Sequence, residues 1–200
     1  SDDVVLYCFA ADSTPPLVPI VTDDGAYTSQ LDRIHGSWSA VDPESGIYAY
    51  EYCVGTAPVL DNAAPWLSVG SATHHTRTGL ALVYKQVYFI TCRALNGAGL
   101  RGPEASSDGI IVDATPPTRP TVVDDGRFTS NANAIHATWT SEDPESGIGT
   151  CQYSIGTAPG SVNVAGWTDV GASTSVTRTG LSLTNGSTYY VNEKASNTGG

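Results

Sequence analysis

Leu80-Ala81-Leu82-Val83-Tyr84-Lys85-Gln86-Val87-Tyr88-Phe89-Ile90-Thr91-Cys92-Arg93-Ala94-Leu95-Asn96-Gly97-Ala98-Gly99 decides the fold, because its apolar residues recur every second position from Leu80 and again from Tyr88 to Ala94. Period two is the signature of strands with one buried face, and the stretch predicts two of them. It recurs as residues 181–200, within a repeat that places residues 14–99 on residues 115–200 without a gap and with about half the positions identical. A period near 100 residues predicts two small domains.

The rest of the repeat reads as short strands between turns. Pro19-Ile20-Val21 opens a strand that Asp23-Asp24-Gly25 turns, matched later by Val122-Val123 and Asp124-Asp125-Gly126. A second strand carries Ile34 to Trp38, matched by Ile135 to Trp139, and Asp42-Pro43-Glu44-Ser45-Gly46 recurs as Asp143-Pro144-Glu145-Ser146-Gly147 to form a loop. The third strand directs Tyr50, Tyr52 and Val54 inward and Glu51 and Cys53 outward, and Cys151, Tyr153 and Ile155 form the matching inward set. Gly55-Thr56-Ala57-Pro58 ends it, and Trp66 and Val69 mark a further strand. Twenty-one glycines and twelve prolines among short apolar runs point to an all-β chain.

These residues resemble the fibronectin type III fold. The likeness rests on Thr-Pro-Pro at each domain start, Trp38 and Trp139, the Leu82-to-Tyr88 and Leu183-to-Tyr189 spacings, and Ala94, Asn96 and Gly99 with Ala195, Asn197 and Gly200. It implies two tandem fibronectin type III or immunoglobulin-like β-sandwiches, residues 14–114 and 115–200, after an N-terminal segment of residues 1–13. The variety with Asp-Pro-Glu-Ser-Gly and Gly-Thr-Ala-Pro resembles repeats of microbial or algal surface proteins, which places the chain outside the cell or on its surface. Such domains serve as adhesive modules, spacers and enzyme appendages alike, so the fold does not state the function.

The phase of the repeat carries the functional expectation. The first copy continues into Gly109-Ile110-Ile111-Val112 before Asp113-Ala114-Thr115-Pro116-Pro117; the second copy has no such run, and Val4-Val5-Leu6-Tyr7-Cys8-Phe9 precedes Asp12-Ser13-Thr14-Pro15-Pro16 instead. In the family's layout the last strand pairs with the one bearing Tyr189, Val191 and Ala195, so those residues form the expected acceptor edge. Burying Val5, Tyr7 and Phe9 contributes roughly 1.5–3 kcal/mol each before the entropy of ordering is subtracted. The expectation is an extracellular filament protomer, polymerised head-to-tail when residues 1–12 of one subunit complete residues 115–200 of the next. A short linker with two prolines, residues 113–118, disfavours folding back within one molecule. The alternatives are a section of a long tandem-repeat adhesin with binding loops, or a non-catalytic appendage of a secreted hydrolase. The chain lacks methionine and a signal peptide, so a processed product or a fragment is expected.

Chemistry-bearing motifs are few. No nucleophile elbow, zinc-binding His-Glu-x-x-His or phosphate-cradling loop is present, so the expectation is not an enzyme. A net charge of −11 repels nucleic acid and anionic membrane surfaces, and no apolar run is long enough for a membrane helix. Strand donation would divide the cysteines evenly, Cys53 with Cys92 and Cys151 with a neighbour's Cys8, as disulfides or as buried free thiols; opposite facing of Cys53 and Cys92 argues against the first bridge. His35 and His136 sit beside core tryptophans as structural residues, and His74-His75 reads as a loop. Asp23, Asp24, Asp113, Asp143 and Glu145 are either calcium ligands stiffening the junction or plain turn formers; no other cofactor is implied. Asn185-Gly186-Ser187 is both an N-glycosylation sequon and a turn dipeptide, and the serines and threonines at 174–175 and 182–184 are O-glycan candidates.

Overall fold

The computed structural model describes residues 10–199; the expected donor strand, Cys8 included, lies outside them. All regular structure among these residues is β, and no helix is long and apolar enough to cross a membrane. The chain divides into two compact units, Ser1–Val112 and Asp113–Gly200. The division precedes the boundary expected after residue 114 because Asp113 is fully buried among residues of the second unit.

Unit 1 contains β1 (Ile20–Asp23), β2 (Tyr27–Thr28), β3 (Arg33–Ser39), β4 (Ile47–Gly55), β5 (Ala64–Ser68), β6 (His74–Thr78), β7 (Val87–Asn96), β8 (Ala105–Ser106) and β9 (Ile110–Val112). One sheet runs β1-β3-β6 and the other β2-β9-β7-β4-β5, with β8 also on β7. The inner faces meet in a core of Ile34, Trp38, Tyr50, Tyr52, Val54, Tyr88, Ile90, Cys92, Ala94, Ile110 and Val112. Trp38 stacks on Tyr52 with ring centroids 4.9 Å apart, and its buried indole N–H donates to the Ala72 carbonyl, as a buried donor must find an acceptor.

Unit 2 repeats this plan with β10 (Thr121–Asp124), β11 (Ile135–Thr140), β12 (Ile148–Gly156), β13 (Ala165–Asp169), β14 (Ser175–Arg178) and β15 (Tyr190–Asn197). Its sheets are β10-β11-β14 and β13-β12-β15, around Trp139, Cys151, Tyr153, Ile155, Ala165 and Leu181. The tyrosine spacing has a hydrogen-bonding cause in both units. Tyr88 Oη accepts from Val83 N at 3.0 Å and Tyr189 Oη from Thr184 N at 2.8 Å, fixing the turn before the long strand.

Three expectations need correction. His74-His75 begins strand β6 rather than a loop, paired with β3 through Ser37↔His74 and Gly36↔His75. Leu80 and Leu82 lie in the connection after β6, not in a strand, although their amides bond to the Asp32 and Leu31 carbonyls and Leu82 is buried. Cys53 sits on the outer face of β4 as expected, yet it is completely buried, because residues 56–62 fold over it and its thiol faces the Leu60 carbonyl.

Candidate functional site

Each unit grips the aspartate that precedes its Thr-Pro-Pro. In unit 1, Asn96 at the end of β7 donates from Nδ2 to Asp12 Oδ2 at 2.8 Å, to the Thr14 carbonyl at 2.9 Å and to Asp42 Oδ2 at 3.0 Å. Its Oδ1 accepts from the Ala98 and Leu100 amides, which settles which end of the side chain is the amide nitrogen. Ser45 Oγ donates to Asp12, and Asp42 Oδ1 accepts from Ser45 N. Unit 2 reproduces the set: Asn197 Nδ2 reaches Asp113 Oδ2 at 3.0 Å, the Thr115 carbonyl at 2.8 Å and Asp143 Oδ2 at 3.2 Å, and Ser146 Oγ donates to Asp113.

The donors favour the ionised form of Asp42 and Asp113. The Ser45 backbone N–H, helped by the Asn96 amide, keeps the Asp42 carboxyl below its usual range against the upward push of burial. Burial is the largest influence on Asp113 and pushes it up, but bonds from Ser146, Thr115 and Asn197 together outweigh it, and its carboxyl also stays low. Asp113, Asp143 and Glu145 offer carboxylate oxygens within 4.8 Å of one another, as do Asp12, Asp42 and Glu44. The point where the Asp12, Asp42 and Thr14 oxygens converge is taken by Asn96 Nδ2, an uncharged donor in a cation's place. Asp23 and Asp24 belong to neither acidic group among the described residues; Asp23 accepts from the Gly25 and Gly109 amides and Asp24 binds His35.

The second feature is the edge of β15 away from β12. In unit 1, β7 is flanked by β9, through Val87↔Ile111 and Tyr88↔Ile110, and by β8, through Thr91↔Ser106 and Cys92↔Ala105. Beneath that cover Tyr88, Ile90 and Ala94 are buried. Among the described residues β15 pairs only with β12, and the corresponding Tyr189, Val191 and Ala195 are half-buried. Glu193 shares their core-facing side, opposite Tyr153. Both its carboxylate oxygens are buried without a hydrogen-bond partner among the described residues. Burial pushes this carboxyl up, offset in part by the facing Cys151 thiol.

The thiols do not pair. Cys53, Cys92 and Cys151 are free and buried. Tyr52 is the register partner of Cys92 and Thr91 that of Cys53, so the two thiols point to opposite faces of the sheet and the Cys53–Cys92 bridge cannot form. Burial pushes Cys53 up to about 11 and Cys92 up to about 12, and it raises Cys151 with Glu193 adding to the effect. The bridge expected between Cys151 and Cys8 involves a residue outside the described range.

The remaining groups serve turns and pairing. His35 Nδ1 lies 2.7 Å from Asp24, and His136 Nδ1 lies 2.6 Å from Asp125, each tying the Asp-Asp-Gly turn to its neighbouring strand. His75 Nδ1 meets the buried Tyr52 hydroxyl at 2.7 Å. Asn185 is exposed at the tip of a turn closed by Ser187 N to the Thr184 carbonyl, accessible as a glycan acceptor must be.

Sequence reasoning missed the asparagine grip and Glu193, and both left a trace. Asp12–Asn96 and Asp113–Asn197 recur at the same separation of 84 residues. The alternation that turned Val191 and Ala195 inward turns Glu193 inward as well.

No known family model matches the chain, and no curated protein does. Solved structures do. The chain is 16% identical to the fibronectin(III)-like modules of Clostridium thermocellum CbhA, with a TM-score of 0.54 over 90% of this chain and 87% of that one. It is also 16% identical to the FN1–FN3 domains of chicken CNTN1, with a TM-score of 0.50 over 93% of this chain, and it spans 64% of that fragment. The chain thus folds as tandem fibronectin type III-like β-sandwiches.

Proposed function

We propose that the chain is a non-catalytic structural unit of an extracellular head-to-tail assembly, in which the strand before Asp12 of one copy closes the second sandwich of the next. The observation that carries this reading is the repeated aspartate. Asp12 enters unit 1 through the contacts to Asn96 and Ser45 by which Asp113 enters unit 2 through Asn197 and Ser146. Strand β9 ends at Val112, inside unit 1, and the next residue is held by unit 2. By the same order, the run before Asp12 belongs to a sandwich other than the one that holds Asp12. The half-buried Tyr189, Val191 and Ala195, beside a strand edge that is unpaired among the described residues, supply a matching acceptor. Donor and acceptor are different surfaces, so the contact propagates rather than closing a two-fold dimer.

A second reading has its own support: the hand-over from Val112 to Asp113 is made within one polypeptide. Under it the strand before Asp12 follows a further sandwich of the same chain, and the protein is a spacer section of a longer surface array. The two separate in one experiment: negative-stain electron microscopy and light scattering of the purified chain beside a version lacking residues 1–11. Filaments from the intact chain that vanish on truncation support donation between copies. Monomers from both remove it and leave the covalent array.

A further inference from the structure

The outer face of the β1-β3-β6 sheet carries a pair of imidazoles that has no copy in unit 2. Strand alternation buries Ile34, Gly36 and Trp38 and leaves His35 and Ser37 on the outer side of β3. On β6 the same alternation exposes His74 and Thr76 and half-buries His75 between them. The register partners are Ser37↔His74 and His35↔Thr76, so His35 and His74 are diagonal neighbours on one face, close enough for long side chains to meet. Their ring centroids lie 6.0 Å apart, with the planes tilted by 57°.

Asp24 prepares one of the two rings. Its Oδ1 lies 2.7 Å from His35 Nδ1; the carboxylate accepts and Nδ1–H donates, which leaves the Nε2 lone pair for another partner. A carboxylate behind the ring is how the tautomer and orientation of a metal-ligating histidine are commonly fixed. His74 makes no hydrogen bond among the described residues, so its ring nitrogens are uncommitted. Two imidazoles sharing one tetrahedral ion through bonds of about 2.0–2.1 Å have ring centroids roughly 5–5.5 Å apart, so the pair must close by about 0.5–1 Å. The exposed His74 side chain can supply that movement by rotation. A pocket of about 300 Å³ beside His35, lined in part by Asp24, Gln30, Arg33 and Thr76, leaves room for water at the remaining positions of such an ion. Arg33, the cation of that pocket, is engaged by Gln30 and Asp32.

Unit 2 supplies the contrast. His136 Nδ1 lies 2.6 Å from Asp125, and the pairing His136↔Thr177 with Thr138↔Ser175 puts Ser175 at the diagonal position. The tie from histidine to aspartate is common to both units and fastens the turn; the second imidazole is what unit 1 adds. We propose that unit 1 binds a late first-row divalent cation of the zinc class through His35 and His74, with Asp24 as the positioning residue behind His35, and that unit 2 has no equivalent site. Imidazole nitrogen selects such ions over calcium and magnesium, which take oxygen ligands. The site lies wholly on unit 1 and does not depend on how unit 2 is closed.

The test is isothermal titration of the full chain with zinc chloride in a non-chelating reductant, for wild type, His74→Ser, Asp24→Ala and Ser175→His. His74→Ser carries the residue unit 2 uses at this position on an exposed strand face, so the fold is kept, and matching melts check that. The expected result is one zinc ion fewer per chain in His74→Ser than in wild type, and one more in Ser175→His, which rebuilds the diagonal pair beside His136 and Asp125. Asp24→Ala weakens zinc binding by about 10–100-fold, and calcium chloride does not distinguish wild type from His74→Ser. Equal zinc uptake by wild type and His74→Ser overturns the site. An unchanged count in Ser175→His overturns the claim that a diagonal imidazole pair with its aspartate suffices to build it, and undiminished affinity in Asp24→Ala removes the positioning role.

Discussion

Asn96→Asp tests the grip on the N-terminal aspartate. The substitution preserves volume and the oxygen that accepts from Ala98 and Leu100. It replaces a nitrogen that donates to Asp12, Thr14 and Asp42 by an oxygen that repels two carboxylates. Asn96 is only 1% exposed, so water cannot substitute for the lost donor. Two bonds to charged acceptors at about 1.5–3 kcal/mol and one to a carbonyl at about 0.5–1.5 kcal/mol sum to roughly 3.5–7.5 kcal/mol. Such terms are not additive, and protonation of one carboxyl relieves part of the repulsion. The expected loss is therefore about 3–5 kcal/mol, the range for breaking a buried charged network from one side. For a unit near 100 residues that lowers Tm by more than about 10 °C. Circular dichroism melts of the whole chain read it, with unit 2 as the internal reference. The deficit shrinks from pH 7 to about pH 4.5, because a protonated carboxyl again donates where the amide did. Calcium raises the Tm of the variant, whose third carboxylate replaces the amide at the convergence point, and leaves wild type unchanged. A variant that melts within about 4 °C of wild type refutes the reasoning, as does a deficit that grows in acid.

Other outcomes follow from burial and close approach. Iodoacetamide at pH 7.5 leaves Cys53, Cys92 and Cys151 unmodified in the native chain and labels them only in denaturant, because buried, proton-retaining thiols are poor nucleophiles; native labelling of Cys53 by peptide mapping would contradict the cover over β4. Gly55→Ala destabilises unit 1 by about 1–3 kcal/mol in urea, since the added Cβ would lie 1.9 Å from the Leu60 carbonyl oxygen. Gly166→Ala, with no atom within 4 Å of the new Cβ, is the neutral control. Glu193 has a folded-state titration raised by burial, so its stabilising protonated form is fully present below the unfolded value and is lost as pH rises through the folded one. Unit 2 accordingly melts lower at pH 7 than at pH 5, and Glu193→Cys removes that contribution to the slope and recovers about 1–3 kcal/mol at pH 7. An unchanged pH–Tm slope in the variant would place the titration elsewhere.

What was legible in the sequence, and what was not, divides along the directionality of the forces. Period-two alternation found β4, β7 and their copies because each has one buried face. It missed β6, whose five residues are polar or charged and alternate only between exposed and half-buried, so that backbone pairing with β3 holds it without an apolar signal. It misplaced Leu80 and Leu82, because burial rewards an apolar side chain in a connection as readily as in a strand. For Cys53 the pattern told which face, but not that residues 56–62 cover it. The internal repeat carries a finer record. Asp-Pro-Glu-Ser-Gly, Gly-Thr-Ala-Pro and the Asp–Asn pair recur unchanged, because hydrogen bonds and close backbone approach tolerate little variation in geometry. Most of the core recurs as well, Trp38, Tyr52, Leu82, Tyr88 and Ala94 as Trp139, Tyr153, Leu183, Tyr189 and Ala195, but Tyr50 with Cys92 becomes Cys151 with Glu193, a smaller pair that carries a carboxyl. Identity between the copies therefore marks core, turns and grips alike, and the position where an otherwise repeated core acquired a charge is where the second sandwich departs from the first in chemistry.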